Sequence, residues 1–255
     1  MLPSIYISHG SPMIMVRDNT STNFLKNLPS IFEEPKFILV ISAHWVTKNL
    51  NILYKESPSL IYDFYGFPKE LYELKYDASS SKEKSDEIIS LFESNGMKIE
   101  KDTSRNGFDH GVWSILRFMY PKAEIPVLQI SIPQEFSSED FLKMGEILHL
   151  LRDNTLIIGS GALTHNLKDV NWDEETKDIK EYAIKFHDFI VENLKNGNHK
   201  KLFERAPFLQ QNHPTLEHLI PLLVNIGSSK DKIGINLNDV YLYGNQSMDT
   251  IIFKG

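Results

Sequence analysis

Short apolar runs alternate with longer amphipathic stretches along this chain. Residues 37–43 (FILVISA), 126–132 (PVLQISI) and 155–159 (TLIIG) are almost unbroken apolar segments rich in β-branched side chains. A strand with one face in water alternates polar and apolar positions, so these runs read as strands covered on both faces. Residues 4–8 (SIYIS) form a shorter run of the same kind, and 51–54 (NILY) and 250–253 (TIIF) are further candidates. Between them, residues 82–94 place Ile88, Ile89, Leu91 and Phe92 at helical spacing, and 141–152 and 179–194 repeat that pattern. Strands alternating with helices predict an α/β fold, with a central mixed, mostly parallel β-sheet flanked by helices. Its ligand site is expected at the carboxyl ends of strands. Ser79, Ser80 and Ser81 read as a short loop into a helix, and no repeat or shift of composition marks a boundary. One domain over residues 1–255 is therefore expected.

Composition narrows the function classes. With 41% hydrophobic and 24% charged residues, the chain has the mix of a globular protein, which argues against disorder, collagen and coiled coil. Its 255 residues are enough to bury about three quarters of the unfolded surface. Lysine and arginine number 27 against 34 carboxylates, a net charge of −7, and the nearest approach to a basic run is His199-Lys200-Lys201. A nucleic acid or an anionic membrane is thus a poor partner, since either needs a basic face. There is no cysteine, which excludes disulfides, iron–sulfur clusters, Cys-type zinc sites and thiol nucleophiles. Any metal must be held by His, Asp and Glu. The start MLPSIYISHGSP has no basic segment followed by an apolar run of leader length, and no stretch approaches 18 apolar residues. The expected compartment is the cytoplasm.

The histidines then change the picture. His9 directly follows the run 4–8, His44 directly follows 37–43, and His165 follows 155–159 by a few small residues. Ligands of open α/β sheets bind outside the carboxyl ends of strands, so three histidines at three strand ends can share one crevice. His110 (FDHG) and His218 (PTLEH) open predicted helices. Imidazole suits zinc, copper, iron and nickel, and the set points to a histidine-rich metal site. Each member alone has a plainer reading. Gly10-Ser11-Pro12 can simply end a strand, Asp109 can be a helix cap, and a lone histidine at a strand end is ordinarily a structural hydrogen-bonder. Five such placements together carry the argument. His149, His187 and His199 read as surface or packing residues, and His213, which precedes a proline, is given no role.

Competing motifs are missing. Ser160 lies between Gly159 and Gly161, but Ile158 stands where the G-x-S-x-G nucleophile motif needs glycine. No H-E-x-x-H, no phosphate-binding G-x-x-x-x-G-K-[ST] and no G-x-G-x-x-G occurs.

The ordered set HGSP at 9–12, SAHW at 42–45, YDFYGFP at 62–68, FDHGVW at 108–113, SGALTHNL at 160–167 and PTLEHLIPL at 214–222 resembles the class III extradiol ring-cleaving dioxygenases, in their DOPA 4,5-dioxygenase-like branch. The likeness spans nearly the whole chain; each motif is weak alone, and their order makes the set specific. It implies a single α/β domain that opens a catechol-type, DOPA-like ring beside its hydroxyls, using O2 and one non-haem divalent metal. By this resemblance His9 and His44 are metal ligands, and His165 is an acid–base group that some related sites place on the metal. His110 lies near the O2 and substrate pocket. The third ligand falls in PTLEH, where Glu217 and His218 are adjacent, and the DOPA-type pattern points to His218. A two-His, one-carboxylate site is the facial triad of iron(II) oxygenases, whereas three histidines also suit zinc; Fe(II) and Zn(II) are both open. Asn166 and Asp109 are candidate partners that orient the rings. Tyr62, Phe64, Tyr65 and Phe67 are candidate walls for a flat substrate, and the polar stretch 195–205 is a candidate lid. A zinc-dependent hydrolase on the same scaffold and a non-catalytic metal-binding protein are the alternatives.

Overall fold

The computed structural model describes residues 1–173 and 176–255. The strands are β1 (Ser4–Ser8), β2 (Phe37–Thr47), β3 (Asn51–Leu53), β4 (Ser59–Leu60), β5 (Glu100–Asp102), β6 (Gly107–Phe108), β7 (Val127–Pro133), β8 (Thr155–Gly161), β9 (Gly234–Asn236), β10 (Tyr241–Leu242), β11 (Gln246–Ser247) and β12 (Thr250–Phe253). The helices are α1 (Thr20–Asn27), α2 (Lys82–Ser94), α3 (His110–Met119), α4 (Ser138–His149), α5 (Glu181–Lys195), the short α6 (Leu202–Arg205) and α7 (Leu209–Asn212), and α8 (Ile220–Gly227). Among the described residues, eight strands form one sheet in the order β5-β3-β7-β2-β8-β1-β12-β9. Its centre, β7-β2-β8-β1, is parallel, and antiparallel pairs join β3 to β7, β1 to β12 and β12 to β9.

The central strands are the apolar runs, and their alternation shows why they have to be apolar throughout. Ile38 and Val40 of β2 pack into one layer with Leu25 of α1 and Val112 and Trp113 of α3. Leu39 and Ile41 point the other way, into a layer with Phe92 of α2, Met144 of α4, Phe186 of α5 and Leu222 of α8. The sheet is thus covered on both faces, as the unbroken hydrophobicity predicts.

Boundaries differ from the sequence reading where polar residues continue an element. β2 runs on to Thr47, so His44 lies inside the strand and not just after it. The register against β7 shifts between Ile41 and Val46. Ser42 and His44 end the apolar run, but backbone pairing, which hydrophobic pattern does not report, resumes beyond them. β8 likewise continues to Gly161. α4 begins at Ser138 because Ser137 and Asp140 form a reciprocal capping box ahead of the first apolar residue. Ser81 caps α2 by accepting from Lys84 N–H, so the serine cluster is a helix entry. His218 sits two residues before α8 rather than at its first turn. Among the described residues, no helix is long and apolar enough to cross a membrane.

Candidate metal centre

β2, β8 and β1 are neighbours in the sheet and run parallel, so their carboxyl ends open on the same edge. This adjacency brings together histidines that lie far apart in sequence. The rings of His9, His44 and His218 form a nearly equilateral triangle, with centroids 4.9, 5.0 and 5.3 Å apart. His110, at the start of α3, stands 4.0 Å from His44 and 5.4 Å from His9. His165 stacks on His218 at 3.7 Å with 12° between the planes. All five sequence-predicted histidines thus meet in one place. Donor atoms fall into two close groups, His9 with His44 and His110, and His165 with Glu217 and His218.

The hydrogen bonds fix which ring nitrogens are free. Ser160 Oγ donates to Gly111 O at 2.5 Å, so its 2.9 Å contact with His9 Nδ1 leaves it as acceptor and His9 as an Nδ1–H donor. His44 Nδ1 lies 3.1 Å from Asp63 Oδ2, which calls for Nδ1–H there too. Both Nε2 atoms are then bare, yet they face each other at 3.0 Å. Two imidazole nitrogens about 2.1 Å from one ion and at about 90° to each other, as in octahedral coordination, stand about 3.0 Å apart, so the pair fits a shared metal. His218 Nδ1 lies 3.3 Å from Glu217 Oε1, which by the same logic turns its Nε2 free.

Electrostatics favour neutral rings. Burial, reinforced by the neighbouring histidines, pushes His9 and His218 well below the usual imidazole range. Burial lowers His165 to about 4. Burial and His44 also lower His110, with Asp63 opposing them. Neutral imidazole is the form that binds metal and accepts protons. Burial pushes the Asp63 carboxyl up, but its contacts with His110 and His44 outweigh this and hold it well below the usual carboxylate range.

A cavity of about 370 Å³ opens over these rings, inside the range of roughly 300–1,000 Å³ typical of small-molecule sites. Phe64, Tyr65 and Phe67 line it with Leu167, Trp172 and Met248. Tyr62 does not line it; its hydroxyl donates to Leu74 O and its ring packs edge-on against Trp113.

The comparisons with known proteins fall on this geometry. Residues 3–251 match the family described as the catalytic LigB subunit of aromatic ring-opening dioxygenase. The chain belongs to this family. It is 32% identical to the 4,5-DOPA dioxygenase extradiol of Escherichia coli (strain K12), over 89% of this chain and 85% of that one. It is 37% identical to the protein of the same name from Beta vulgaris, over 89% and 86% of the two chains. A crystal structure of an uncharacterized protein from Escherichia coli K12 superposes with a TM-score of 0.81 at 26% identity, covering 100% of both chains.

As a LigB-family protein the chain is an aromatic ring-opening dioxygenase, with a histidine cluster able to hold a metal and an aromatic substrate and O2 as its reactants. The structure also shows residues that sequence reasoning missed. Asp63 accepts from the His110 backbone N–H at 2.9 Å and also meets His44, joining two of the histidines. It stands inside the YDFYGFP motif, but only its neighbours' rings drew attention. Ser160, considered only as a failed nucleophile, orients His9. Asp109 caps nothing through its side chain. Its carboxylate takes Ser42 Oγ, Arg105 Nη2 and Gln129 Nε2 at 2.5 to 2.7 Å beneath the site. Asn166 proves to be a cap, accepting from Lys168 N–H, and does not orient a ring. His213 hydrogen-bonds Leu163 O from a buried position. Among the described residues, the stretch 195–205 does not line this cavity; Gly197, Asn198, His199, Lys200, Leu202 and Arg205 border a separate one with Phe189 and Asn193.

Proposed function

We propose that the chain, as one catalytic unit over residues 1–255, opens the ring of an aromatic vicinal diol beside its hydroxyls and inserts both atoms of O2. One divalent metal, Fe(II) in the working enzyme, would be held by His9, His44 and His218. The supporting observation is the triangle of three rings, His9 and His218 buried and His44 half-buried, whose Nδ1 atoms are engaged by Ser160, Asp63 and Glu217. That engagement leaves three Nε2 atoms for one ion, the outer-partner arrangement that tunes metal-binding histidines. On this reading Glu217 orients His218 and is not itself a ligand. The bound ion supplies a Lewis acid that favours the ionised diol and a redox centre for O2.

The protein's own groups do the rest. His165, neutral and stacked beside His218, takes a proton from the substrate hydroxyl at an imidazole nitrogen and returns it as the ring opens. His110, held by its backbone to Asp63, stands beside His44 where O2 and the diol have to meet. Phe64 and Phe67 wall the cavity against water and confine a flat ring.

The test is oxygen uptake by metal-free protein reloaded anaerobically with Fe(II) or Zn(II), then given simple catechols in air-saturated buffer. Uptake with iron alone, together with new near-visible absorbance of a ring-opened product, is expected. No uptake with one iron bound per chain would refute the proposal, and ester hydrolysis by the zinc form would point to a hydrolase.

A further inference from the structure

The cavity has a floor and a mouth. His9, His110 and His218 line it from buried positions, whereas Tyr65, Leu167 and Trp172 line it while 91, 54 and 61% exposed. A diol held at the floor through both oxygens turns the opposite edge of its ring outward. Any substituent on that edge therefore points toward these three side chains. Single apolar residues on a surface need no explanation, but three around the mouth of one cavity mark a contact for a ligand.

Trp172 is also held in place. It ends a segment that begins at His165, and the turn between β10 and β11 grips that segment near both ends. Asn245 Nδ2 donates to Asn166 O at 2.8 Å, and the Asn171 N–H donates to Tyr243 O at 3.0 Å. The Tyr243 ring packs against the indole, with centroids 5.6 Å apart. Tyr243 is itself buried, with φ at 56°. A residue other than glycine keeps this left-handed backbone only where its surroundings impose it, and such positions concentrate at ligand sites. The indole is thus an apolar plate backed on one side by Tyr243, so covering its exposed part orders little that is not ordered already.

We infer that Trp172 is a specificity residue: its indole packs against a substituent carried on the diol ring opposite the hydroxyls, and so selects substituted rings over bare catechol. This rests on the dioxygenase reading. It also gives the segment 165–172 two tasks, proton transfer at His165 and substrate selection at Trp172, with the β10–β11 turn fixing the one relative to the other.

The experiment gives catechol, 4-methylcatechol and 4-tert-butylcatechol to Fe(II)-loaded full-length protein and follows oxygen uptake. In the wild type kcat/KM should rise along this series. In Trp172→Ala the ratio of kcat/KM for 4-tert-butylcatechol to that for catechol should fall about tenfold, the scale of a lost apolar contact in a substrate pocket. Trp172→Phe keeps an aromatic plate and should restore most of the ratio. An unchanged ratio in Trp172→Ala, whatever happens to the separate rates, would overturn the inference and leave the dioxygenase reading intact. No uptake by the wild type with any of the three would remove that reading and the inference with it. A second measurement needs no turnover. Of the three tryptophans, Trp45 and Trp113 are buried, so iodide quenching of fluorescence in Zn(II)-loaded protein reports Trp172. Saturating 4-tert-butylcatechol should shield it, and catechol should shield it far less. Equal quenching with and without bound 4-tert-butylcatechol would show that the indole does not meet the substituent.

Discussion

His9 Nε2 and His44 Nε2 face each other at 3.0 Å, although each ring already uses its Nδ1 elsewhere, His9 on Ser160 and His44 on Asp63. Were either Nε2 to carry a proton as well, that ring would be a cation, and burial beside four other histidines opposes this at His9. A shared ion would resolve the contact. Adding Zn(II) or Fe(II) to metal-free protein should therefore raise its stability, by about 2.7 kcal/mol at a hundredfold excess over the dissociation constant. His44→Ala should abolish that rise and bind close to no metal. A wild-type-like rise in Tm with added metal in His44→Ala would refute the assignment.

In the proposed site Asp63 would orient the rings and not ligate the ion. It receives the His110 backbone N–H at 2.9 Å and lies 3.1 Å from His44 Nδ1. Removing such an outer partner typically costs ~10–100-fold in metal affinity. Asp63→Ala is expected to lie in that range by chelator competition, with Asp63→Asn recovering part of it, since its amide oxygen can still accept. Unchanged affinity in Asp63→Ala would show that His44 needs no orienting carboxylate.

His165 stacks on His218, and burial keeps it neutral to about pH 4. As the proton carrier its loss should slow turnover by roughly 10²–10⁴-fold. His165→Gln should keep its metal and lose kcat. If it instead loses its metal while the remaining activity per bound ion is unchanged, His165 is a ligand.

Much of this was legible in the sequence, for identifiable reasons. Strands covered on both faces announce themselves as apolar runs, so β2, β7 and β8 were found from composition alone. The histidines stood out because they follow such runs, and parallel neighbours place their ends side by side. What escaped were contacts across the fold. Asp63 reaches His44 of β2 and His110 of α3 from the loop after β4, and Ser160 meets His9 across 151 positions. No local pattern encodes those pairings. His187 is the same lesson from the other side. Read as surface or packing, it is buried between Asp249 at 2.9 Å and Asp188 at 2.9 Å.

That cluster has a pH signature. Burial works against charge on His187, but Asp249 and Asp188 outweigh it and raise the ring to about 9. An unfolded histidine titrates near 6.5. Between about 6.5 and 9 the folded chain holds a proton that the unfolded chain releases, so this stabilisation is complete below pH 6.5 and is lost as pH rises through 9. Urea unfolding of metal-free protein at pH 7 and pH 10 should show a loss on the order of 1–3 kcal/mol, and His187→Gln should flatten it. Equal pH dependence in the two proteins would mean that the pair contributes nothing.

Arg152 ties the opposite end of the sheet. Its guanidinium is fully buried and donates to the carbonyls of Leu2, Ser228, Phe253, Lys254 and Gly255. Both chain ends are thus joined at the entry to β8. Burial lowers this arginine to about 10, with Asp231 opposing, so it stays charged at neutral pH. Arg152→Met fits an apolar stem into the space but removes a donor from each of those oxygens; Ser228 O keeps His149 Nδ1 at 2.8 Å, and each one left without a donor costs about 1–3 kcal/mol when water cannot reach it. A net loss of at least ~3 kcal/mol is expected once partial rehydration is allowed for. Arg152→Lys should fall between, because an ammonium keeps the charge but cannot span so many acceptors. The site lies beyond the far ends of the strands, so the folded fraction of Arg152→Met should bind metal as tightly as wild type. A variant with wild-type urea stability would show that the strand ends hold without this residue. One that folds well but binds metal poorly would show that the two ends of the sheet are coupled.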